Sequence, residues 1–532
     1  MAATDIAHER VIQRELKKKV EQFGNREFFC FRDETFGYLD LDRESDRVAA
    51  GLQALGVGKG DKVGIIMNNR PEFLFLWFGL CKLGAVEVPI NIAHRGDVLI
   101  YMVDHADCRL IVMEAQFLDR VEPVLKDLSK VEKLVILNDT DTAIPSLGKP
   151  VMDWRTVIDN DGKFEEPEVI WSDPFIIMFT SGTTGPSKGS YMPHNYALCM
   201  GEMVTLGAEY TDSDRLYNAL PLFHGNAQLL STMPALMSGG RVVLAERFSL
   251  TGFWPDVKKY GCTAFNYIGI ILPFLLALPP ESSDADNPLR ILVGGGCSAE
   301  VFDLVEQRFN LKILEGYGMS EIGLPLGSRL SERRKGSVGK VAPGYEVKIV
   351  DDNGMEVENN VPGELLIRTQ EPYAMLLEYY KMPEKTVEAW RDCWFHTGDY
   401  LTRDEEGYYY FVDRKKDALR RRGENISSYE VEKIINEHPA IMESAAIAAK
   451  SELSEDEVMV CITLKPGAAL EPEALIDFCQ EKMAYFMIPR YVRILPQLPK
   501  THTLRVQKNV LRDQGVTPDT WDREKAGYKL KR

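Results

Sequence analysis

At 532 residues the chain exceeds what one hydrophobic core usually supports, so two or more domains are expected. Apolar residues at 45% and charged residues at 27% exclude wholesale disorder. A formal charge of −17 excludes a general binder of nucleic acid or anionic membrane, because phosphate would be repelled; a phosphate-bearing small molecule at a local positive site is still allowed.

Residues 1–24 are charged and read as an amphipathic helix rather than a signal peptide, since no continuous apolar stretch is present. The greasiest segment, 73–90, is broken by Lys82 and Glu87 and reads as a buried helix followed by a strand, not a membrane span. Nine cysteines are scattered without a CxxC pair or a histidine at zinc-ligand spacing, so reduced, mostly packed thiols in a cytoplasmic protein are expected. From about 38 to 350, helical patterns alternate with β-branched runs at 63–67, 85–89, 110–112, 134–137, 241–244 and 291–293, which argues βαβ units and parallel-type sheets. The helix pattern is clearest over 71–83, which opens on a proline and closes at Gly84. Two strands at 345–351 and 364–368 around an Asp-Asn-Gly turn add a β-rich subregion.

After a strand-like run at 408–413 comes a basic cluster, and then a compact α+β pattern: helix 428–437, strands 445–448 and 458–464, helix 472–483. The expected architecture is therefore α/β, with a large N-terminal domain of parallel-type sheets flanked by helices plus the β-rich subregion over 1–413. A small mobile α+β domain is expected over 414–532.

The strongest chemical signal is Phe179-Thr-Ser-Gly-Thr-Thr-Gly-Pro-Ser-Lys-Gly189, following the strand-like run 175–178. Glycines let successive N–H groups turn toward one anion, hydroxyls add donors, and Lys188 supplies a cation. It is not a Walker loop, which needs Gly before the Lys; here that residue is Ser187. A plain Gly/Ser/Thr linker is the bland alternative, and the strand-to-loop context with a single lysine argues against it.

This loop resembles the phosphate loop of the adenylate-forming superfamily: acyl-CoA synthetases, firefly-type luciferases and peptide-synthetase adenylation domains. Further segments match in the same order from about 61 to 512, nearest to carnitine/crotonobetaine-type and medium-chain acyl-CoA ligases. The resemblance implies that Thr180, Ser181, Gly182, Thr183, Thr184, Gly185 and Lys188 hold the ATP phosphates. Glu315-Gly-Tyr-Gly-Met-Ser-Glu321 resembles the adenylate-binding turn. There Tyr317 would stack on adenine beside Gly318, Ser320 would bond the phosphate or acyl carboxylate, and Glu321 with Thr180 would hold Mg²⁺. Gly295 and Gly296 would line one edge of the adenine, and Asp399 in Trp394-Phe-His-Thr-Gly-Asp399 would accept from the ribose hydroxyls. Arg414 would reach ribose or phosphate, Lys416 would be the interdomain pivot, and the loop with Gly423 and Glu424 would enter the site for the second half-reaction. His224 in Pro221-Leu-Phe-His-Gly225 would stand between acyl pocket and thiol entry. Taken singly, the basic cluster would read as a solvated face and His224 as a packed histidine.

One segment departs from the pattern. Pro499-Lys-Thr-His-Thr-Leu-Arg-Val-Gln-Lys508 carries Leu504-Arg505 where the family has Gly-Lys, and that lysine bridges substrate carboxylate and α-phosphate. Arg505 keeps the charge with a different reach and is expected in the role; Lys508 is the substitute and Lys500 a weaker one.

The implied reaction is ATP-dependent formation of an acyl-adenylate with release of pyrophosphate, then acyl transfer to coenzyme A. Its partners would be a small-molecule carboxylic acid, ATP, Mg²⁺ and coenzyme A, in a monomer or homodimer. Nothing after residue 512 resembles a carrier domain, so a free-standing ligase is expected. An amine or carrier-protein acceptor is the runner-up, and a protein that holds an adenylate without turnover is another class, motivated by Arg505; ATP–pyrophosphate exchange separates them. A hydrolase is set aside, since no GxSxG elbow is present. The acyl pocket is expected from 223–228, 264–270 and 322–326. Phe223, Phe265, Tyr267, Ile268 and Ile322 would give an apolar wall, with Asn226, Gln228 and Asn266 giving polar recognition. Core packing is the alternative for each.

Overall fold

The computed structural model of the chain describes residues 3–139, 144–180, 186–269, 271–297, 299–351, 353–414, 419–421, 424–426, 428–450, 456–499, 506 and 508–530. The chain divides into two compact units. One comprises 1–92, 103–178 and 189–413; the other comprises 93–102, 179–188 and 414–532.

The first unit is α/β, as its alternating patterns require. An eight-stranded sheet runs in the order Glu378–Tyr379, Lys188–Pro193, Pro174–Thr180, Val86–Pro89, Lys62–Ile66, Cys108–Glu114, Lys133–Leu137, Val151–Asp153. From Pro174–Thr180 to Val151–Asp153 its neighbours are parallel. A seven-stranded sheet is ordered Lys312–Glu315, Ile291–Gly295, Ala264–Ile268, Arg215–Asn218, Arg241–Leu244, Glu27–Phe31, Glu34–Gly37, parallel except for its last pair. The helix Pro71–Leu83 has the expected bounds and ends at Gly84 in the left-handed region (φ 60°), where a side chain would be strained. It packs against Tyr38–Ala54. The β-rich subregion pairs Tyr345–Val350 antiparallel to Gly363–Thr369, which in turn pairs with Trp394–Arg403.

Lys82, which interrupts the apolar run, is 1% exposed; its ammonium meets Asp42 Oδ1 at 2.7 Å and Asp46 Oδ1 at 2.6 Å. A buried ammonium with two carboxylates is satisfied in place. Among the described residues no helix is long and apolar enough to cross a membrane. All nine cysteines stand outside disulfides and eight are buried, Cys393 being exposed.

The N-terminus differs from the single helix expected over 1–24. Two helices form, Ala3–Glu9 and Ile12–Phe23, because Val11 is extended (φ −130°) and the Ile12 N–H turns to donate to His194 Nδ1 at 3.4 Å.

The second unit is α+β. Its sheet is ordered Ile441–Lys450, Asp456–Leu464, Tyr491–Ile494, Trp521–Asp522, with helices Ser428–Asn436, Pro472–Lys482 and Lys508–Gln514. The first strand is longer than the run at 445–448 foretold, because its ladder with Asp456–Leu464 continues from Ile441 to Lys450. Leu419–Arg421 and Glu424–Ile426 form a small antiparallel hairpin.

Candidate active site

Three parallel strands, Ala264–Ile268, Ile291–Gly295 and Lys312–Glu315, end side by side, and ligands of open α/β sheets bind beyond such carboxyl ends. Gly296 has φ 83° there, which lets the chain turn across the strand ends. Glu315 closes its strand, 8% exposed, and accepts from the Cys297 N–H at 2.8 Å. Burial pushes its carboxyl up to about 7, with the Tyr267 hydroxyl alongside.

Beyond Glu315 the chain makes a hairpin of Tyr317–Met319 and Gly323–Gly327, pairing Tyr317 with Leu326 and Met319 with Gly323. The two strands press so closely that a Cβ on Gly318 would lie 2.2 Å from the Gly323 carbonyl oxygen, so only glycine fits. Tyr317 is buried, and its hydroxyl donates to Asp399 Oδ2 at 2.7 Å. Asp399 lies in Trp394–Arg403, where its own N–H donates to Thr397 Oγ1 at 3.1 Å; the neighbouring Gly398 N–H donates to Glu364 at 3.2 Å. Ser320 and Glu321 occupy the hairpin turn, Ser320 half-buried and Glu321 4% exposed. Glu321 Oε1 accepts from the Tyr379 hydroxyl at 2.9 Å, and its carbonyl accepts from the Leu376 N–H at 2.9 Å. Burial, followed by the charge of Glu321, drives the Tyr379 phenol well up, so it stays a donor.

A buried carboxylate on a turn beside this tyrosine suits a hard divalent cation that arrives with polyphosphate. Among the described residues no group of three or more His, Cys, Asp or Glu is arranged to hold a metal.

Phe223 is buried and its ring lies 4.9 Å from that of the half-buried His224. A π-helical segment, Asn226–Thr232, follows; Gln228 within it is fully buried and donates to the Leu222 carbonyl at 2.8 Å. Such segments are frequent at functional sites. Fully buried Glu87 lies beside Gln228, and burial drives its carboxyl well above the carboxylate range. Strand alternation divides the next stretch. Phe265, at zero exposure, packs with Phe253 and Tyr217 at 4.9 and 5.9 Å, whereas Asn266 donates to the Leu230 carbonyl and to Ser231 Oγ. Phe265 therefore follows the core-packing alternative. Tyr267 and Ile322 are buried, Tyr267 beside Glu315 and Ile322 in the hairpin turn, and Ile268 is half-buried.

The AMP-binding enzyme family matches residues 16–380, and the AMP-binding enzyme C-terminal domain matches 430–504. The chain belongs to the AMP-binding enzyme family. It is similar to the crotonobetaine/carnitine–CoA ligase of Salmonella paratyphi B, 32% identical over 482 residues covering 90% of this chain and 93% of that protein. Among solved structures it is similar to the anthranilate CoA ligase AuaEII in complex with anthranoyl-AMP, with a TM-score of 0.72 at 26% identity over 97% of this chain and 99% of that one. The fold is also that of o-succinylbenzoate CoA synthetase from Bacillus subtilis, with a TM-score of 0.81 at 23% identity over 94% of this chain and 98% of that one.

The remaining family motifs fall in the second unit. Thr180 Oγ1 donates to the Lys188 carbonyl at 3.4 Å, closing the base of the hydroxyl loop. Ser181, Gly182, Thr183, Thr184, Gly185, Lys416, Gly423, Lys500 and Arg505 lie outside the described residues, and Arg414 ends the strand Tyr409–Arg414. Glu424 opens the second strand of the small hairpin and is half-buried. Lys508 begins the helix Lys508–Gln514, and its ammonium meets Glu432 Oε1 at 2.6 Å and Ser428 Oγ at 2.8 Å.

Tyr379, Glu315 and Glu87 escaped the sequence reading as partners. Tyr379 stands 58 residues from Glu321 with no motif of its own. Glu87 left one trace, a charge inside an apolar run, of the kind that marks a buried polar group.

Proposed function

We infer that this chain is an AMP-forming acid–CoA ligase: it activates a carboxylic acid with ATP as the acyl-adenylate, releases pyrophosphate, and passes the acyl group to coenzyme A. The observation that carries the reading is that Tyr317 and Asp399, 82 residues apart, meet at 2.7 Å on the hairpin whose turn buries Glu321, in a chain of the AMP-binding enzyme family. A flat ring for the base, a carboxylate for vicinal ribose hydroxyls and an acidic turn for a polyphosphate-borne cation is the set an adenylate needs.

In the first step the reacting carboxylate attacks the α-phosphorus, and the protein's contribution is positioning and charge. Lys188 and the hydroxyl loop neutralise the departing pyrophosphate, Arg505 spans the carboxylate and α-phosphate, and Ser320 donates to the nascent adenylate. Glu321 and Thr180 would hold Mg²⁺, which when bound would supply Lewis-acid stabilisation of phosphate charge. In the second step a thiol enters past His224, and the 414–532 domain turns about Lys416 to exchange the Arg505 segment for the Gly423 loop. Apolar Phe223 and Ile322 together with polar Gln228 and Asn266 fit a small acid with one polar group. The relatives' crotonobetaine and carnitine are the first acids to try. Nine cysteines outside disulfides favour a reducing, cytoplasmic setting.

The test is ATP–pyrophosphate exchange across a panel of straight-chain, branched, aromatic and betaine acids, followed by AMP release with and without coenzyme A. Acid-dependent exchange with coenzyme A-dependent turnover is expected. Exchange without any coenzyme A dependence would redirect the acceptor, and no exchange with any acid would overturn the ligase reading.

A further inference from the structure

The π-helical segment Asn226–Thr232, which follows Phe223 and His224, is fastened by amide side chains from two strands and from the segment itself. Asn218, at the end of Arg215–Asn218, donates to the Ala227 carbonyl at 3.0 Å. Gln228 donates to the Leu222 carbonyl at 2.8 Å, and Asn266, in Ala264–Ile268, donates to the Leu230 carbonyl. A carbonyl can only accept, so each bond fixes its amide with the nitrogen toward the backbone and the oxygen turned away from it. Asn218 spends its second hydrogen on Thr232 Oγ1 at 3.3 Å, and Asn266 spends its own on Ser231 Oγ at 3.0 Å. The amide oxygens of Asn218, Gln228 and Asn266, and that of Asn226, find no donor among the described residues. Asn218, Gln228 and Asn266 are buried to 3% exposure or less, and Asn226 is half-buried.

An acceptor taken out of water without a donor costs about 1–3 kcal/mol, so each such atom calls for an explanation. Four of them on or against one short segment mark a place made for something that donates. Glu87, fully buried beside Gln228, relieves one at most. Burial pushes its carboxyl well up, and a neutral carboxyl has a single proton to give. An all-methylene acyl chain would leave the other oxygens bare, and a carbonyl or carboxylate would bring like partial charge against them.

We propose that the acyl site reads a hydrogen-bond donor: the acid this protein activates carries a hydroxyl or amino group on its acyl chain, received by the amide oxygens on and around Asn226–Thr232. This names the substrate class of the acyl site inferred above and rests on that reading. A site built to accept from a hydroxyl or amino group rejects the analogue lacking it far more strongly than an apolar pocket rejects an extra methylene, because its buried acceptors then go unpaired.

The experiment measures ATP–pyrophosphate exchange by the full chain with matched pairs of acids. Short straight-chain acids and benzoic acids bearing a hydroxyl or amino group are each set against the analogue with a methyl group in its place. Each amino-substituted acid is also set against its trimethylammonium analogue, which keeps charge and has no donor. For the best pair, kcat/KM of the donor-bearing acid is expected to exceed that of its methyl analogue by about a hundredfold. Asn226→Leu and Gln228→Leu remove one acceptor each, and that ratio is expected to fall by about tenfold. A damaged fold slows both acids together and leaves the ratio where it was. A ratio of one or less in every pair, a trimethylammonium acid activated as well as its amino counterpart, or a ratio unchanged in both variants would overturn the proposal. Exchange with no acid at all is a separate outcome: it removes the ligase reading, and this inference with it.

Discussion

The Tyr317 hydroxyl is bonded to Asp399 Oδ2 at 2.7 Å, so the ring and the carboxylate proposed above for base and ribose hold one another in place. Preorganisation of this kind lowers the ordering cost of binding. Tyr317→Phe keeps the ring and deletes the donor, leaving a buried carboxylate short of a partner. Urea unfolding is expected to show a loss of about 1–3 kcal/mol. Asp399→Ala removes the acceptor itself, and steady-state kinetics should show the KM for ATP raised by roughly ten- to a hundredfold.

Glu321 and Tyr379 separate charge from scaffold. Glu321→Gln still accepts from the Tyr379 hydroxyl, now 2.9 Å away, but carries no charge. Pyrophosphate exchange is expected to fall by on the order of 10²–10³-fold with a raised requirement for Mg²⁺, while the melting transition moves little. Tyr379→Phe keeps the charge, and its exchange rate should fall by less than about tenfold. Equal losses in the two variants would mean that the carboxylate acts through structure alone.

Lys508 is held by Glu432 and Ser428 within the second unit, which favours a packing role for it. Lys508→Met is expected to lower stability by about 1–2 kcal/mol while leaving pyrophosphate exchange within about threefold. Arg505→Ala is expected to lower exchange by on the order of 10²-fold or more. The reverse order of effects in the exchange assay would hand the bridging role to Lys508.

Glu315 gives the fold a pH dependence of its own. Its folded carboxyl titrates near 7 because of burial, against an ordinary value of 4.5. A raised carboxyl binds its proton more tightly when folded, so its contribution is fully present below about pH 4.5 and is lost as pH rises through about 7. The span corresponds to on the order of 3 kcal/mol. Glu315→Gln is expected to flatten the dependence of urea midpoints between pH 5 and 8, matching the parent protein at the acid end and exceeding it at the alkaline end.

Local patterns carried much of the fold. Pro71 and Gly84 bracket a helix from both ends, and the β-branched runs at 241–244 and 134–137 recur as Arg241–Leu244 and Lys133–Leu137, because propensity, periodicity and capping all act within a few residues. The break at Val11 was illegible, since it depends on the bond of Ile12 to His194, 182 residues away in sequence. The site divides in the same way. The segment 315–321 announces itself because ring, glycines and acid stand together, whereas the Tyr379–Glu321 and Asn266–Leu230 bonds exist only after distant segments meet. Lys82 and Glu87 look alike in the sequence, as charges in an apolar run, yet one is matched by two aspartates and the other lies beside Gln228 with its carboxyl pushed up by burial. Only the surroundings distinguish them.

Gly318 and Gly323 touch because neither has a side chain, and that contact makes the Tyr317–Gly327 hairpin a rigid gauge. The gap between the aromatic ring and the acidic turn is set by backbone rungs and not by the guest. On the proposed reading, a nucleotide whose base and phosphates are spaced differently would be refused by dimension, however well either end fits. A shift in which nucleotide this protein accepts would therefore have to begin at these two glycines, even though neither carries an atom that reacts.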